Sequence, residues 1–533
     1  MHAMMVIGLY LLFLCGTVKS ELSLASYFGD HMVLQRAPAS SQIWGYADKL
    51  DTVVTAQVGL EGPRYSTKTV NHSGLKRIIW KITFPPQNAE GSFVITISST
   101  EGTLSIQDVI FGDVWVCSGQ SNMQFTLNMV YNSTQEMAEA DNYPDIRLFT
   151  VQDVFSAEPL YELKAVQQPW SRASKESVGG ADWTYFSAVC WLYGKYLYQQ
   201  LKRPIGLVAS TWGGTPVEAW SSKDAMAMCA SPSVGLLQSD APSIVERPNS
   251  AVPNFGVADQ NTPTQLWNAM INPLLNMTIY GAIWYQGEAN AGAPDSYKCR
   301  FQAMINDWRA KFSAEGHTDG MFPFGFVQLA PWRNDPTIIT GFPDIRWHQT
   351  FDYGYVPNPE LPKVFMAVAI DLPDFDSPYN SIHPRDKQDI AWRLTLSGLQ
   401  VAYNMSSLGR YLGPQISAYY IDIGYHTLRL EFDGAKGQGI SVTNTSAGFE
   451  VCCSINNMTK CDGKDSVWQA APITASDSHS VTMRSCVGMW TMGVRYAWAE
   501  SPCAFKACAV YTRENSLPMA PFVVVGVIGD DAN

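Results

Sequence analysis

The stretch Asp113-Val114-Trp115-Val116-Cys117-Ser118-Gly119-Gln120-Ser121-Asn122-Met123 decides how this chain is read. An apolar run beginning at Val109 stops at Cys117 and passes at once into small and polar residues. A continuous apolar run bounded in this way is the mark of a strand buried on both faces of a parallel sheet. Four further runs end alike. Ile205–Ala209 leads into STWGGTP, Ile279–Tyr285 into QGEAN, Phe324–Leu329 into APW, and Val364–Ile370 into Asp371. Helical periodicity lies between some of them, as over Ala188–Leu201. Strand, loop, helix, strand implies an α/β sheet with right-handed crossovers. Sites in such sheets lie beyond the carboxyl ends of the strands, where each polar cluster falls.

The texture differs on both sides of this unit. Residues 21–108 carry short β-rich runs (VVTAQVGL, RIIWKITF, SFVITISS) separated by Gly, Pro and Asn, and predict a β-sandwich or jelly-roll module. After residue 405 the β texture returns in AYYIDIG, TLRLEFD, SVTMRS and FVVVGVI. The expected organisation is a 1–20 signal peptide, a 21–108 β module, a 109–405 catalytic α/β domain and a 406–533 C-terminal β module with clustered cysteines.

The 533 residues are 46% hydrophobic and 12% aromatic, which excludes a disordered chain. Net charge is −12, with no Lys/Arg run, so nucleic acid and other polyanions are not expected partners. Met4–Val18 is apolar but short for a bilayer span and fits a secretory signal peptide best, an uncleaved anchor being the alternative, and no later segment suits a membrane anchor. Six N-x-S/T sequons, at Asn71, Asn132, Asn276, Asn404, Asn444 and Asn457, agree with the lumenal route. So do the cysteines. Six of the 11 crowd into the tail (Cys452, Cys453, Cys461, Cys486, Cys503 and Cys508) without a CxxC pair, which favours disulfides over zinc. Cys117, in the central strand, reads as a free core thiol. A secreted or lysosomal location is expected.

Four motifs carry the chemistry. Ser121, past a glycine turn at a strand end, is placed as a nucleophile with backbone donors nearby. Trp115 to Met123 is not the G-x-S-x-G elbow, because position 123 is Met. Gly213 and Gly214 let backbone amides approach a ligand closely. Gln286, in WYQGE, carries an amide donor suited to an oxyanion. Glu288 next to it is placed to orient neighbours, to act as an acid or to touch substrate. His383, in IHPRDK, stands before Pro384, a residue suited to a first helical position, and ahead of the stripe Ile390, Leu394, Val401. A neutral imidazole there takes and returns the serine proton. The remaining histidines lie in strands, loops or the β modules. Taken alone, each motif has a plainer alternative: a strand-end turn at Ser121, a tight turn at Gly213–Gly214, a polar loop at Gln286–Glu288 and a structural histidine at His383.

Together GQSNM, WGGTPVEAW, WYQGE and IHPRDKQ, with SLASYFGDHMVLQRAP near the start and LPMAPF near the end, resemble the sialate O-acetylesterase family of the SGNH-hydrolase superfamily. The resemblance implies a flavodoxin-like SGNH hydrolase domain with accessory all-β modules on both sides. It implies removal of O-acetyl groups, notably 9-O-acetyl, from sialic acids, with neither metal nor cofactor. Ser121 would be nucleophile and His383 base, with the Ser121 amide, the Gly213/Gly214 turn and Gln286 as oxyanion donors. Two positions depart from the superfamily pattern. Gln286 stands where Asn is usual. Ser381 and Asn380 stand where an Asp is usual before the His, which leaves Asp371, Asp374 or Asp376 as acid, Asp376 preferred, or a dyad held by a backbone carbonyl. Arg333 and Arg346 are candidates for the substrate carboxylate. The alternatives are an esterase for another acetylated sugar, a glycosidase using Glu218 and Glu288, and an inactive glycan-binding homologue.

Overall fold

The structure, a computed structural model, describes residues 22–88, 91–229, 259–422, 424–433, 439–446, 448–455, 461 and 468–526. The expected 1–20 signal peptide and Asn457 lie outside them.

A seven-strand path organises the centre. Its strands are β1 (Gly102–Gly119), β2 (Ile146–Val151), β3 (Val166–Arg172), β4 (Ile205–Thr211), β5 (Gly281–Tyr285), β6 (Phe324–Gln328) and β7 (Val364–Val368). Their order is β3-β2-β4-β1-β5-β6-β7. All pairs are parallel except β3 with β2. The sub-order β4-β1-β5-β6-β7 is the flavodoxin-like arrangement, with chain order reversing around β1. The five expected strands all form, with ends shifted by a few residues. β2 and β3 were not anticipated. β3 reads VQQPWSR, polar and Pro-containing, a composition tolerated only at a sheet edge.

Helices cover both faces. The helix Ala188–Leu201 starts at Ser187, whose hydroxyl accepts the Cys190 amide. It packs with the helix Lys387–Tyr403 over one face. The helix Tyr297–Gly316 covers the other, where Trp308 meets Trp284 and Phe324 edge-on. Cys117 is not a free thiol. Strand alternation turns it toward the first of these helices, where it is bonded to Cys190.

The N-terminal module has two sheets. One holds Ser41–Ala47 and Arg77–Phe84; the other holds Val53–Val58 and Phe93–Ser99 with the first half of β1. Their facing side chains bury Ile43, Val54, Trp80 and Ile95 completely, while Trp44, on the opposite face of its sheet, packs against Tyr161. β1 thus belongs to both units. The expected boundary at 108/109 falls inside this strand, where Asp108 (φ 54°) accepts from Arg147 and Arg172.

Beyond Tyr403 the described residues form two four-stranded antiparallel sheets and a two-stranded one. Three disulfides pair the six tail cysteines: Cys452–Cys461, Cys453–Cys486 and Cys503–Cys508. A further bridge joins Cys229 to Cys299. Among the described residues no helix is long and apolar enough to cross a membrane, and no cluster of His, Cys, Asp and Glu could hold a metal ion.

Of the sequons, Asn71, Asn132 and Asn404 are exposed and Asn444 is half-buried. Asn276 contradicts expectation. It is 2% exposed, its side-chain oxygen accepts from Lys81 Nζ at 2.6 Å, and an oligosaccharide has no path to it.

Candidate active site

The Ser121 turn follows from one glycine. Gly119 ends β1 at φ 139°, and a Cβ there would lie 2.2 Å from the Tyr285 carbonyl oxygen. The chain therefore closes onto β5, and the Gln120 amide donates to that same carbonyl at 3.0 Å. Ser121 opens the short helix Ser121–Gln124 directly above the central strand. Its amide is one of the helix-start donors without an intrahelical acceptor.

His383 arrives from the opposite end of the site, on the loop between β7 and the helix Lys387–Tyr403. That helix begins three residues later than Pro384 suggested, because Asp386 caps it by accepting the Asp389 amide. His383 thus sits in the preceding turn. Asp374 and Arg385 close this loop: Arg385 donates through Nε at 2.7 Å, Nη2 at 2.9 Å and its amide at 3.0 Å. Burial raises the Asp374 pKa, but the Arg385 bonds outweigh it and hold the carboxyl below its ordinary value.

The two side chains, 262 positions apart, meet. His383 Nε2 lies 2.8 Å from Ser121 Oγ. Its Nδ1 lies 2.6 Å from the Tyr379 carbonyl oxygen. A carbonyl only accepts, so the neutral imidazole carries its proton on Nδ1 and offers the Nε2 lone pair to the serine hydroxyl. Burial pushes the His383 pKa below 6.5; the Tyr379 carbonyl opposes this shift and the Lys387 charge adds to it. Phe125 stacks near the ring and Trp183 meets it edge-on, with centroids 5.1 Å apart. Trp183 is held at φ 64° with its amide donating to Thr126 Oγ1.

None of the three candidate acids is at Nδ1. Asp371 is buried against Arg393, at 2.6 and 3.0 Å, and against Tyr511. Asp374 is engaged by Arg385. Asp376, the preferred candidate, is exposed on the bend of the loop. The carbonyl arrangement replaces it, because Nδ1 turns inward toward main chain.

The donors divide differently from expectation. A Cβ on Gly213 would lie 3.3 Å from Ser121 Cβ, so this turn borders Ser121; Gly214 takes φ 72°. The Gly213 amide donates to Gln124 Oε1 at 2.8 Å. Gln124 is fixed in turn by donating to Asp153 Oδ2 at 3.0 Å. Burial pushes the Asp153 pKa up to about 6, with the Gln124 bond opposing. Gln286 does not offer a free amide. Its Nε2 donates to the Thr215 carbonyl and to Asn290 Oδ1 at 2.7 Å, while its Oε1 accepts from Tyr297 at 3.0 Å. It is wholly buried and braces the Thr215 turn from beneath.

The charged candidates are likewise spent elsewhere. Arg346 is fully buried and donates to the carbonyls of Leu329, Ala499 and Glu500. Arg333 pairs with the Glu500 carboxylate. Both fasten the C-terminal module to the sheet, and a substrate carboxylate would have to displace those partners. Glu218 pairs with Arg300 and accepts from Asn290. Glu288 accepts from Asn122 at 2.6 Å.

Sequence reasoning passed over Asn122, Gln124, Trp183 and Lys387. Asn122 and Lys387 stand inside quoted motifs, GQSNM and IHPRDK. Their residue types have no single chemistry to announce, so only proximity reveals them.

A serine–imidazole pair at the switch point of a flavodoxin-like sheet, flanked by amide donors, defines an esterase of the α/β hydrolytic class. The comparisons name its kind. Residues 111–373 match the family described as carbohydrate esterase, sialic acid-specific acetylesterase, and residues 417–526 match the sialate O-acetylesterase C-terminal domain. The sialate O-acetylesterase of Mus musculus is 39% identical over 542 residues, covering 97% of both chains. That of Homo sapiens is 39% identical over 511 residues, covering 94% of this chain and 92% of the other. A carbohydrate acetylesterase from Xanthomonas citri superposes with TM-score 0.74 at 28% identity, covering 95% of this chain and 99% of that one. The chain belongs to the sialate O-acetylesterase family.

Proposed function

We propose that this chain removes O-acetyl groups from sialic acids, the 9-O-acetyl ester among them, by acyl transfer through Ser121 and His383. The observation that carries the reading is the 2.8 Å approach of His383 Nε2 to Ser121 Oγ. Ser121 Oγ attacks the acetyl carbonyl while His383 takes its proton. The oxyanion forms beside the Ser121 amide and the Gly213/Gly214 turn, the Gly213 amide exchanging Gln124 for the oxyanion. Collapse breaks the bond to the sugar oxygen, which leaves as a hydroxyl with the proton from His383. Water then attacks the acetyl-serine, and acetate departs. Losing one donor costs about 100- to 1000-fold in turnover.

Support for a sialic acid substrate comes from the activity named for the mammalian relatives. Trp183, partly buried and edge-on to the His383 ring, supplies an apolar wall for a small acyl group. The five disulfides suit the secretory pathway as the place of work, secreted or lysosomal. The glycosidase reading loses ground, because Glu218 and Glu288 are each committed to other side chains.

The test is acetate release from 9-O-acetylated sialic acid by the purified chain, with Ser121→Ala alongside. Release should vanish in the variant while its melting temperature holds. Release by the variant at the parent rate would overturn the assignment. Preference for acetylated neutral sugars over the sialic acid would overturn the substrate alone.

A further inference from the structure

One buried cluster of polar side chains beside the serine–histidine pair takes no part in the steps above. Asn122 follows the nucleophile and is 1% exposed. Its Nδ2 donates to Glu288 Oε1 at 2.6 Å and to the Ile382 carbonyl at 2.8 Å. Its Oδ1 accepts from Lys387 Nζ at 2.6 Å. The orientation of this amide is unambiguous. The Ile382 carbonyl only accepts, so the amide nitrogen faces it and the amide oxygen faces Lys387.

Ile382 is the neighbour of His383. Asn122 therefore grips the residue before His383, and its other amide hydrogen and its oxygen are held by Glu288 and Lys387, whose charged forms burial disfavours, pushing the Glu288 carboxyl up and the Lys387 ammonium down to about 7. Lys387 is fully buried and is the first residue of its helix. Its ammonium lies over the rings of Phe125 and Tyr285, at 4.8 and 5.1 Å. Glu288, Asp374 and Asp386 are the carboxylates whose fields reach it. Around the imidazole itself stand Ser121, the Tyr379 carbonyl, the Phe125 and Trp183 rings and the field of Lys387.

We infer that Lys387 and Glu288, acting through the side-chain amide of Asn122, are positioning residues that hold the His383 loop against the Ser121 turn. The inference rests on the acyl-transfer reading above. It supplies what that arrangement otherwise lacks. The Tyr379 carbonyl belongs to the same loop as His383 and fixes the ring only relative to that loop. The Asn122 bridge fixes the loop relative to the nucleophile. Positional errors of about 1 Å in such a pair cost on the order of 100-fold in rate.

The experiment measures kcat, KM and the pH profile on 4-nitrophenyl acetate for Lys387→Met, Glu288→Ala and Glu288→Gln, with Ser121→Ala as control and a thermal melt for each. Lys387→Met should lower kcat by about 10- to 100-fold with KM within about threefold. Its acid limb in kcat/KM should move to higher pH, because a positive charge near His383 has been removed. Glu288→Ala should fall comparably. Glu288→Gln, which keeps the oxygen that Asn122 bonds, should recover most of that loss. An unchanged kcat in Lys387→Met, or a fall with the acid limb unmoved, overturns the inference. Equal inactivity of Glu288→Gln and Glu288→Ala overturns it too, since that pattern marks a carboxyl acting as an acid. If Lys387→Met does not fold, the two Glu288 variants decide alone. An active Ser121→Ala would instead strike at the acyl-transfer reading beneath it.

Discussion

The Tyr379 main-chain carbonyl holds the Nδ1 of His383 at 2.6 Å, in the place where a carboxylate would stand in a three-residue relay. A carbonyl fixes the tautomer as an aspartate would, but brings no full negative charge. Its bond offsets only part of the ring's desolvation, and the imidazole is easier to keep neutral than to protonate.

The first prediction concerns pH. In the proposed acyl transfer His383 can serve as base only when neutral, and burial has moved its pKa below 6.5. The acid limb of kcat/KM should accordingly lie below pH 6.5, with activity persisting under conditions that protonate an ordinary imidazole. The same shift makes the unfolded chain bind more protons over that interval. This group's contribution to stability then rises with pH through the window and is lost as pH falls. A pH–rate profile on the free enzyme checks the first part, and urea unfolding across the same range checks the second.

The three aspartates should separate by role. Asp376→Asn should keep kcat/KM within about twofold, as surface substitutions usually do. Asp374→Asn weakens the Arg385 closure, worth about 1.5–3 kcal/mol as bonds between charged groups, and should lower kcat without abolishing it. Asp371→Asn leaves Arg393 facing a neutral group in the interior and should cost about 3–5 kcal/mol of stability. Melts and acetate release on the three variants test this. Loss of activity confined to a fully folded Asp376→Asn would return it to the acid role.

The Cys117–Cys190 bridge closes 73 residues and joins the nucleophile strand to the helix over it. Loop-closure entropy for that length is about 4 kcal/mol. Replacing both cysteines by alanine should lower unfolding free energy by about 2–4 kcal/mol, read as a shift of the denaturation midpoint.

Gly119→Ala should be among the most damaging single-methyl changes in the chain. The added carbon would lie 2.2 Å from the Tyr285 oxygen at φ 139°, so either the turn or β5 must move. The expected outcome is loss of acetate release greater than about 100-fold, because the displaced neighbour is Ser121.

In a secretory host, glycopeptide mass spectrometry should find carbohydrate on Asn71, Asn132 or Asn404. It should find none on Asn276, which is buried behind its bond to Lys81. Carbohydrate at Asn276 would mean that modification precedes docking of the two modules.

The sequence by itself determined the parallel sheet and the end of it that carries chemistry. Continuous apolar runs such as Ile205–Ala209 have one stable fate, burial between layers, and the polar residues that interrupt them must gather at one edge. It also determined that Ser121 and His383 deserved pairing, since hydroxyl and imidazole announce their chemistry by type. Tertiary structure decided the partners. Gln286, Arg346 and Asp371 look like functional groups in one dimension, yet their donors and acceptors are consumed by Thr215, Glu500 and Arg393 from distant segments. Cys117 looked unpaired until a helix 73 residues away was laid across its strand. Asn122 and Lys387 looked ordinary until folding buried them together. Hydrogen bonds are short and directional, so their partners are set by where the folded chain returns. Burial of an apolar run needs no particular partner, and for that reason it can be read in advance.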